Sequence, residues 1–222
     1  MKTLALIFDM DGVIVDNHQY HLQSWLSFFE RHGIHMTEAE YKEKVNGRVM
    51  HTILPALLDR ALSPEEIRTL GEQKEEEYRA LYRDDIQPTP GLVDFLQEIQ
   101  QQDLLRAIAT SAPPANVDFT LEHTQLRSYF PVIVDDTMVK TGKPDPEVYL
   151  KSAEQLGVPT DRCIVFEDAI LGIQAGKSAG MAVVALATTH TRTELEATEA
   201  DYIINDFRGL TIEKLQKALN MM

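Results

Sequence analysis

Cysteine is almost missing from this chain. Cys163 stands alone among 222 residues, so no intrachain disulfide can form and Cys-based zinc sites are excluded. A reducing compartment fits this usage, and a cytoplasmic location is the expectation. Long hydrophobic runs are missing too. No stretch approaches the roughly 18–20 apolar residues of a membrane span, and the first apolar run, Leu4 to Phe8, stops at Asp9, too short for the apolar region of a signal peptide. Positive charge is scarce: 21 Lys and Arg stand against 35 Asp and Glu, for a net charge of -14. Such a balance repels a nucleic-acid backbone unless basic residues gather into a stripe, and none is present. These shortages exclude a disulfide-stapled scaffold, a membrane-spanning protein and a nucleic-acid binder. Any phosphate bound must be small, met by a few local cations, helix N-termini or a metal ion.

What is present is an ordinary globular composition, 44% hydrophobic and 25% charged, with no internal repeat or low-complexity segment. Apolar runs of strand length recur at Leu4 to Phe8, Leu104 to Ala109, Val132 to Val134, Cys163 to Phe166 and Ala182 to Leu186, with Tyr202 to Ile204 a weaker sixth. Helical patterns separate most of them, which predicts a doubly wound, Rossmann-like parallel sheet covered on both faces. One interval is too long for a simple crossover. Residues 17–85 carry no strand signal but three or four helical ones. Leu22, Trp25, Leu26 and Phe29 fall at helical spacing, as do Met50, Ile53, Leu54 and Leu57. Ser63, Pro64 and Glu66 form a capping-box start, and "TEAE" at Thr37 opens another helix. The expected organisation is an α/β core of residues 1–16 and 86–222 with an inserted α-helical cap, 17–85, joined by two adjacent crossings that make a hinge. "TPG" at Thr89 restarts the core with a cap, a helix-start proline and a glycine.

The chemistry concentrates where strands end. "FDMDGVIVD" sets Asp9, Asp11 and Asp16 directly after the first apolar run. Thr110 and Ser111 follow the second, and Glu167 and Asp168 follow "CIVF". Ligands of open parallel sheets sit beyond the carboxyl ends of the strands, so these groups are expected to converge. Carboxylates held close need a counter-ion. An oxygen-only set without His or Cys points to Mg²⁺, which commonly completes its shell with substrate phosphate. Gly12 lets the turn curl so that Asp9 and Asp11 both face the site. "KTGKPDPE" offers Lys143 as the cation, with Asp145 as a helix cap and Pro146 at the first helical position. Thr110 or Ser111, ahead of a helix beginning near "PPAN", can donate to a phosphate. His18 and His21 form an HxxH pair without a third ligand and are read as surface or packing. Cys163 is read as inert core.

"DMDGVIVD", "ATSA", "KPDPEVY" and "FEDAILGIQAG" together resemble the four ordered signature motifs of the haloacid dehalogenase superfamily, over nearly the whole chain. The inserted helices resemble its subgroup of β-phosphoglucomutase and small sugar phosphatases. The resemblance implies Asp9 as a nucleophile that becomes an aspartyl phosphate and Asp11 as general acid/base. It implies Thr110 as holder of the phosphoryl group and Lys143 as its partner and that of Asp9. Mg²⁺ would be bound by Asp9, the Asp11 carbonyl, Glu167 and Asp168. In the cap, His21, Trp25 and Lys74 match β-phosphoglucomutase positions. The mutase's glycine and arginine read here as Gly47 and a displaced Arg48, and Pro113 and Pro114 replace its lysine and asparagine.

A mutase must retain and turn a bisphosphate intermediate, so losing phosphate-binding groups harms it most, whereas a hydrolase tolerates the change. The expectation is therefore a monomeric Mg²⁺-dependent phosphatase of a small phosphorylated metabolite, a sugar phosphate foremost. β-Phosphoglucomutase is the alternative. A non-catalytic phosphometabolite-binding protein is the reading from another class, and nothing in the sequence supports it because every catalytic position is filled.

Overall fold

A computed structural model describes residues 4–45, 48 and 50–220. It divides into two compact units, residues 1–16 with 87–222 and residues 17–86.

The first unit is built on a six-stranded parallel sheet. Its strands are β1 (Ala5–Phe8), β2 (Leu105–Ala109), β3 (Val132–Val134), β4 (Cys163–Glu167), β5 (Ala182–Leu186) and β6 (Tyr202–Ile204), in the order β3-β2-β1-β4-β5-β6. The apolar runs of the sequence are these strands, and the doubly wound α/β expectation agrees with the sheet. The chain builds β2 and β3 on one side of β1 and then returns to lay β4, β5 and β6 on the other. The order therefore reverses at β1, and the crevice beyond its carboxyl end is the place where such sheets bind ligands.

Strand alternation sorts the side chains onto two faces. Ala5 and Ile7 of β1, Cys163 and Val165 of β4, and Val183 and Ala185 of β5 join one buried cluster. Residues of α7 (Glu147–Leu156) and α8 (Ile170–Ser178) complete it, namely Val148, Tyr149, Ala153, Ile173 and Ala175. The intervening residues face an aromatic layer. Phe8 stacks on Phe166 at 4.7 Å between ring centroids, and Phe95 on Phe207 at 5.7 Å. Glu167 ends β4 with the parity of Cys163 and Val165, so its carboxylate turns toward α7 and α8.

Two helix starts differ from the sequence reading, the first for a tertiary reason. α5 (Leu92–Gln101) begins past Pro90, with Gly91 as its N-cap at φ 81°. Pro90 gives its carbonyl to Phe207 N at 3.0 Å, and a Cβ on Gly91 would lie 2.4 Å from Arg208 N. Close approach of the 207–208 backbone thus delays the helix and requires glycine. α7 likewise begins at Glu147, one residue beyond Pro146, although Asp145 Oδ1 does accept Glu147 N at 3.0 Å. α6 (Pro114–His123) starts at the "PPAN" segment as read.

The second unit comprises α1 (His18–Arg31), α2 (Glu38–Lys44), α3 (Met50–Leu57) and α4 (Pro64–Tyr82). Thr37 with Glu40, and Ser63 with Glu66, form complete capping boxes. Trp25, Phe28 and Phe29 of α1 pack with Tyr41, Ile53 and Leu54 into a core of their own. Among the described residues no helix is long and apolar enough to cross a membrane.

Candidate active site

Parallel pairing sets the site's residues level with one another. Phe8 pairs with Phe166 and with Ile108, so the chain leaves β1, β2 and β4 at a common edge. Asp9 follows β1 and donates its N–H to Phe166 O at 2.9 Å, which carries the strand alignment one residue further. Thr110 follows β2, its N–H on Val134 O at 3.0 Å. Its hydroxyl oxygen accepts Ala112 N at 3.0 Å, leaving the hydroxyl proton as a donor. Ser111 beside it is half-buried.

Lys143 is the buried cation of this edge. Its Nζ lies 3.0 Å from Asp9 Oδ1 and 2.5 Å from Glu167 Oε1. Glu167 has no exposure, and its second oxygen accepts the backbone N–H groups of Asp168 and Ala169 at 2.8 and 2.9 Å. Carboxylate oxygens of Asp9, Glu167 and Asp168 lie within 4.8 Å of one another. Asp11 is half-buried in the turn, and its side chain is not part of that trio.

The turn carrying Asp11 is tight for two reasons. Gly12 has φ 74°, the left-handed region that glycine enters without penalty. A Cβ at Gly12 would also stand 2.0 Å from Asp168 Oδ2. Gly12 thus allows the turn after β1 and the turn after β4 to touch. The segment after β5 holds both: Thr188 Oγ1 donates to Gly12 O at 2.6 Å, and the Thr189 side chain bonds Asp168.

Electrostatics tell what the cluster lacks. Burial pushes Asp9 up to about 7, with Lys143 opposing the rise and Glu167 and Asp11 adding to it. Burial, then Glu167 and Asp9, raises Asp168 well above the usual carboxylate range. Burial alone would lower Lys143, but Asp9 and Glu167 outweigh it and hold the ammonium above its ordinary value. One lysine faces three carboxylates, so without further positive charge the folded protein favours extra protons. A divalent cation would supply that charge, and an all-oxygen donor set of this kind suits Mg²⁺.

A stability prediction follows from Asp9. Its carboxyl ionises near 3.8 unfolded but near 7 folded, so between these values the folded state binds more protons and stability falls as pH rises. In metal-free protein, Asp9→Asn is therefore expected to melt higher than wild type, by a margin that grows from about pH 4 to about pH 7 and reaches several degrees. Mg²⁺ should close the gap by stabilising wild type. Thermal melts of both proteins with EDTA and with Mg²⁺ check this, and a margin that shrinks with pH is the contrary result.

The cap candidates fall into two groups. Lys74, on α4 and only 1% exposed, places Nζ 2.8 Å from His21 Nδ1 and 3.0 Å from Glu75 Oε1. The same ammonium sits 5.1 Å from the Trp25 ring centroid and 5.4 Å from that of Tyr78. His21 stacks on Tyr78 at 3.8 Å. Three of the sequence candidates, the half-buried His21 and the buried Trp25 and Lys74, thus form one cluster between α1 and α4. Arg48 is exposed between α2 and α3 and does not join it. Gly47 lies outside the described residues.

Several residues at the core site were not singled out from the sequence. Tyr149 lies inside the "KPDPEVY" motif, six positions after Lys143, and donates its hydroxyl to Glu167 Oε1 at 2.8 Å. Burial first, then Glu167, raises this phenol well above its usual value. Thr188 and Thr189 follow β5, and the carboxyl-end rule that found Thr110 applies equally to them. Gly172 was visible only as a letter of "FEDAILGIQAG".

A family model for haloacid dehalogenase-like hydrolases matches residues 6–186. The chain belongs to that family. The hydrolase is 32% identical over 177 residues to a phosphorylated carbohydrates phosphatase of Thermotoga maritima, spanning 80% of this chain and 82% of that protein. It is 33% identical over 177 residues to a fructose-1-phosphate phosphatase of Escherichia coli, with 80% and 93% covered. Among solved structures, a β-phosphoglucomutase of Clostridium difficile matches with a TM-score of 0.85 and 28% identity, covering 99% of this chain and 98% of that one.

Proposed function

We propose that this hydrolase is a Mg²⁺-dependent phosphatase of small phosphorylated metabolites, sugar phosphates foremost, working through an aspartyl phosphate. One observation carries the reading: Lys143 is shared between Asp9 and Glu167 at the carboxyl ends of β1 and β4, beside a third buried carboxylate. The names of the relatives supply the substrate class.

In this reading Asp9 Oδ attacks phosphorus while the bond to the ester oxygen breaks, and Asp11 protonates the departing alkoxide. Asp11 then takes a proton from water as the water oxygen attacks phosphorus. The bond to Asp9 breaks, phosphate leaves and the carboxylate is restored. Thr110 and Lys143 hold the phosphoryl oxygens where charge develops. Asp9, Glu167, Asp168 and the Asp11 carbonyl would hold Mg²⁺. When bound, the ion neutralises phosphoryl charge and keeps Asp9 ionised. In the helical unit, His21, Trp25 and Lys74 are kept as substrate-recognition residues, with Gly47 and Arg48 as further candidates.

A β-phosphoglucomutase is the second reading, favoured by the His21–Lys74–Trp25 cluster. A phosphate-release screen over hexose phosphates, phosphoglycolate, nucleotides and pyrophosphate separates the two when β-glucose 1-phosphate is also followed for isomerisation. Release from hexose phosphates is expected at kcat/KM at least about tenfold above nucleotides, falling to background with EDTA. Isomerisation outrunning release would transfer the assignment to the mutase. Binding without turnover across the panel would end both.

A further inference from the structure

Tyr149 sits on α7 with no exposure, and its hydroxyl reaches the same oxygen of Glu167 that Lys143 uses. Both oxygens of that carboxylate are shared: Oε1 accepts the phenol and the ammonium, Oε2 the two backbone amides of residues 168 and 169. Lys143 in turn is divided between Glu167 and Asp9. A neutral donor on Oε1 takes up part of that oxygen's hydrogen-bonding capacity and weakens its pull on the ammonium. What Glu167 does not hold is left for Asp9. The phenol ring also lies 5.2 Å from Lys143 Nζ, a contact that phenylalanine would keep.

We propose that Tyr149 is a positioning residue whose hydroxyl, by occupying Glu167 Oε1, sets how Lys143 is divided between Glu167 and Asp9. This rests on the reading of Asp9 as nucleophile. Without the hydroxyl, Glu167 draws Lys143 toward itself, away from the nucleophile and the phosphoryl group it receives. The loss falls on the chemical step rather than on substrate capture.

The test compares wild type, Tyr149→Phe and Ser152→Ala on the best substrate of the phosphate-release screen. Ser152 is a buried hydroxyl on the same helix that bonds Val148 O at 2.8 Å and makes no hydrogen bond to Glu167. Tyr149→Phe is expected to lower kcat about tenfold or more while KM stays within about twofold. Ser152→Ala should keep wild-type constants. A turnover-free readout is ¹⁹F NMR of the adduct between Asp9 and trifluoroberyllate formed with Mg²⁺, in which at least one fluorine resonance should move in Tyr149→Phe.

Wild-type kcat in a folded Tyr149→Phe, or equal losses in both variants, would overturn the proposal. If Tyr149→Phe does not fold, 3-fluorotyrosine placed at position 149 of the otherwise native chain reports directly. Its resonance should shift when trifluoroberyllate binds, and an unmoved resonance counts against the role. A wild type that forms the adduct while Tyr149→Phe gives the same, unmoved fluorine resonances rejects Tyr149 alone. A wild type that neither forms the adduct nor releases phosphate rejects the nucleophile and this proposal with it.

Discussion

Asp9→Asn is expected to lower phosphate release by about 10⁴-fold or more, because the change removes the attacking group and leaves the rest of the site standing. An amide oxygen is a poor nucleophile toward phosphorus and carries no charge for Lys143 to pair with. Lys143 keeps Glu167 as a partner at 2.5 Å, so the variant is expected to fold. The fold is therefore kept while the chemical cost is large. Rapid acid quench with a ³²P-labelled substrate checks both halves of the claim: wild type should trap an acid-stable, base-labile phosphoenzyme in the first turnover, and Asp9→Asn should trap none. Full activity in the variant would remove Asp9 as nucleophile and send the search to another carboxylate.

Gly172→Ala is expected to be strongly destabilising. Helix propensity alone argues the other way, since alanine is favoured over glycine inside a helix by about 1 kcal/mol. Tertiary contact decides the sign. A Cβ at Gly172 would stand 1.7 Å from Glu167 Oε1 and 2.0 Å from its carboxyl carbon. Glu167 has nowhere to go: β4 is paired on both sides, and the carboxylate is tied to Lys143, Tyr149 and two backbone amides. Forcing it out breaks a buried ion pair, at a cost of about 3–5 kcal/mol. For a chain of this size the melting temperature should fall by roughly 10 °C. Phosphate release should collapse with it, since Lys143 and Asp168 lose their support. Thermal melts and circular dichroism test this. A variant as stable as wild type would mean that α8 can shift to admit the methyl group.

Much of this was legible in the residues themselves. Strand-length apolar runs declared the sheet, because a strand buried on both faces needs a continuous apolar stretch wherever it sits. Thr37 and Ser63 declared their helices because a capping box is satisfied within four residues. Asp9, Asp11, Thr110, Glu167 and Asp168 stand as motif letters at strand ends and Lys143 in the loop before α7, and the fold puts most of them on one edge. Pro90 has the right chemistry for a helix start but lies where a neighbouring segment sets the boundary, and α7 begins one residue past Pro146. For Gly91 that neighbour is the 207–208 backbone, distant in sequence and invisible to any local rule.

Sequence alone determined the alternation of strands and helices, the long helical insertion and the identity of the acidic, hydroxyl and lysine groups. Each of these rests on local composition, local periodicity or a short motif. Only the tertiary structure decided which oxygen of Glu167 meets Lys143 and Tyr149, why residues 12 and 172 must lack a Cβ, and that Thr188 and Thr189 brace the two acidic turns. It also decided that His21, Trp25 and Lys74 form one cluster while Arg48 is exposed outside it. Those facts depend on distances between segments up to 176 positions apart in the chain, and such distances are set by strand register and helix packing rather than by any residue's own preference.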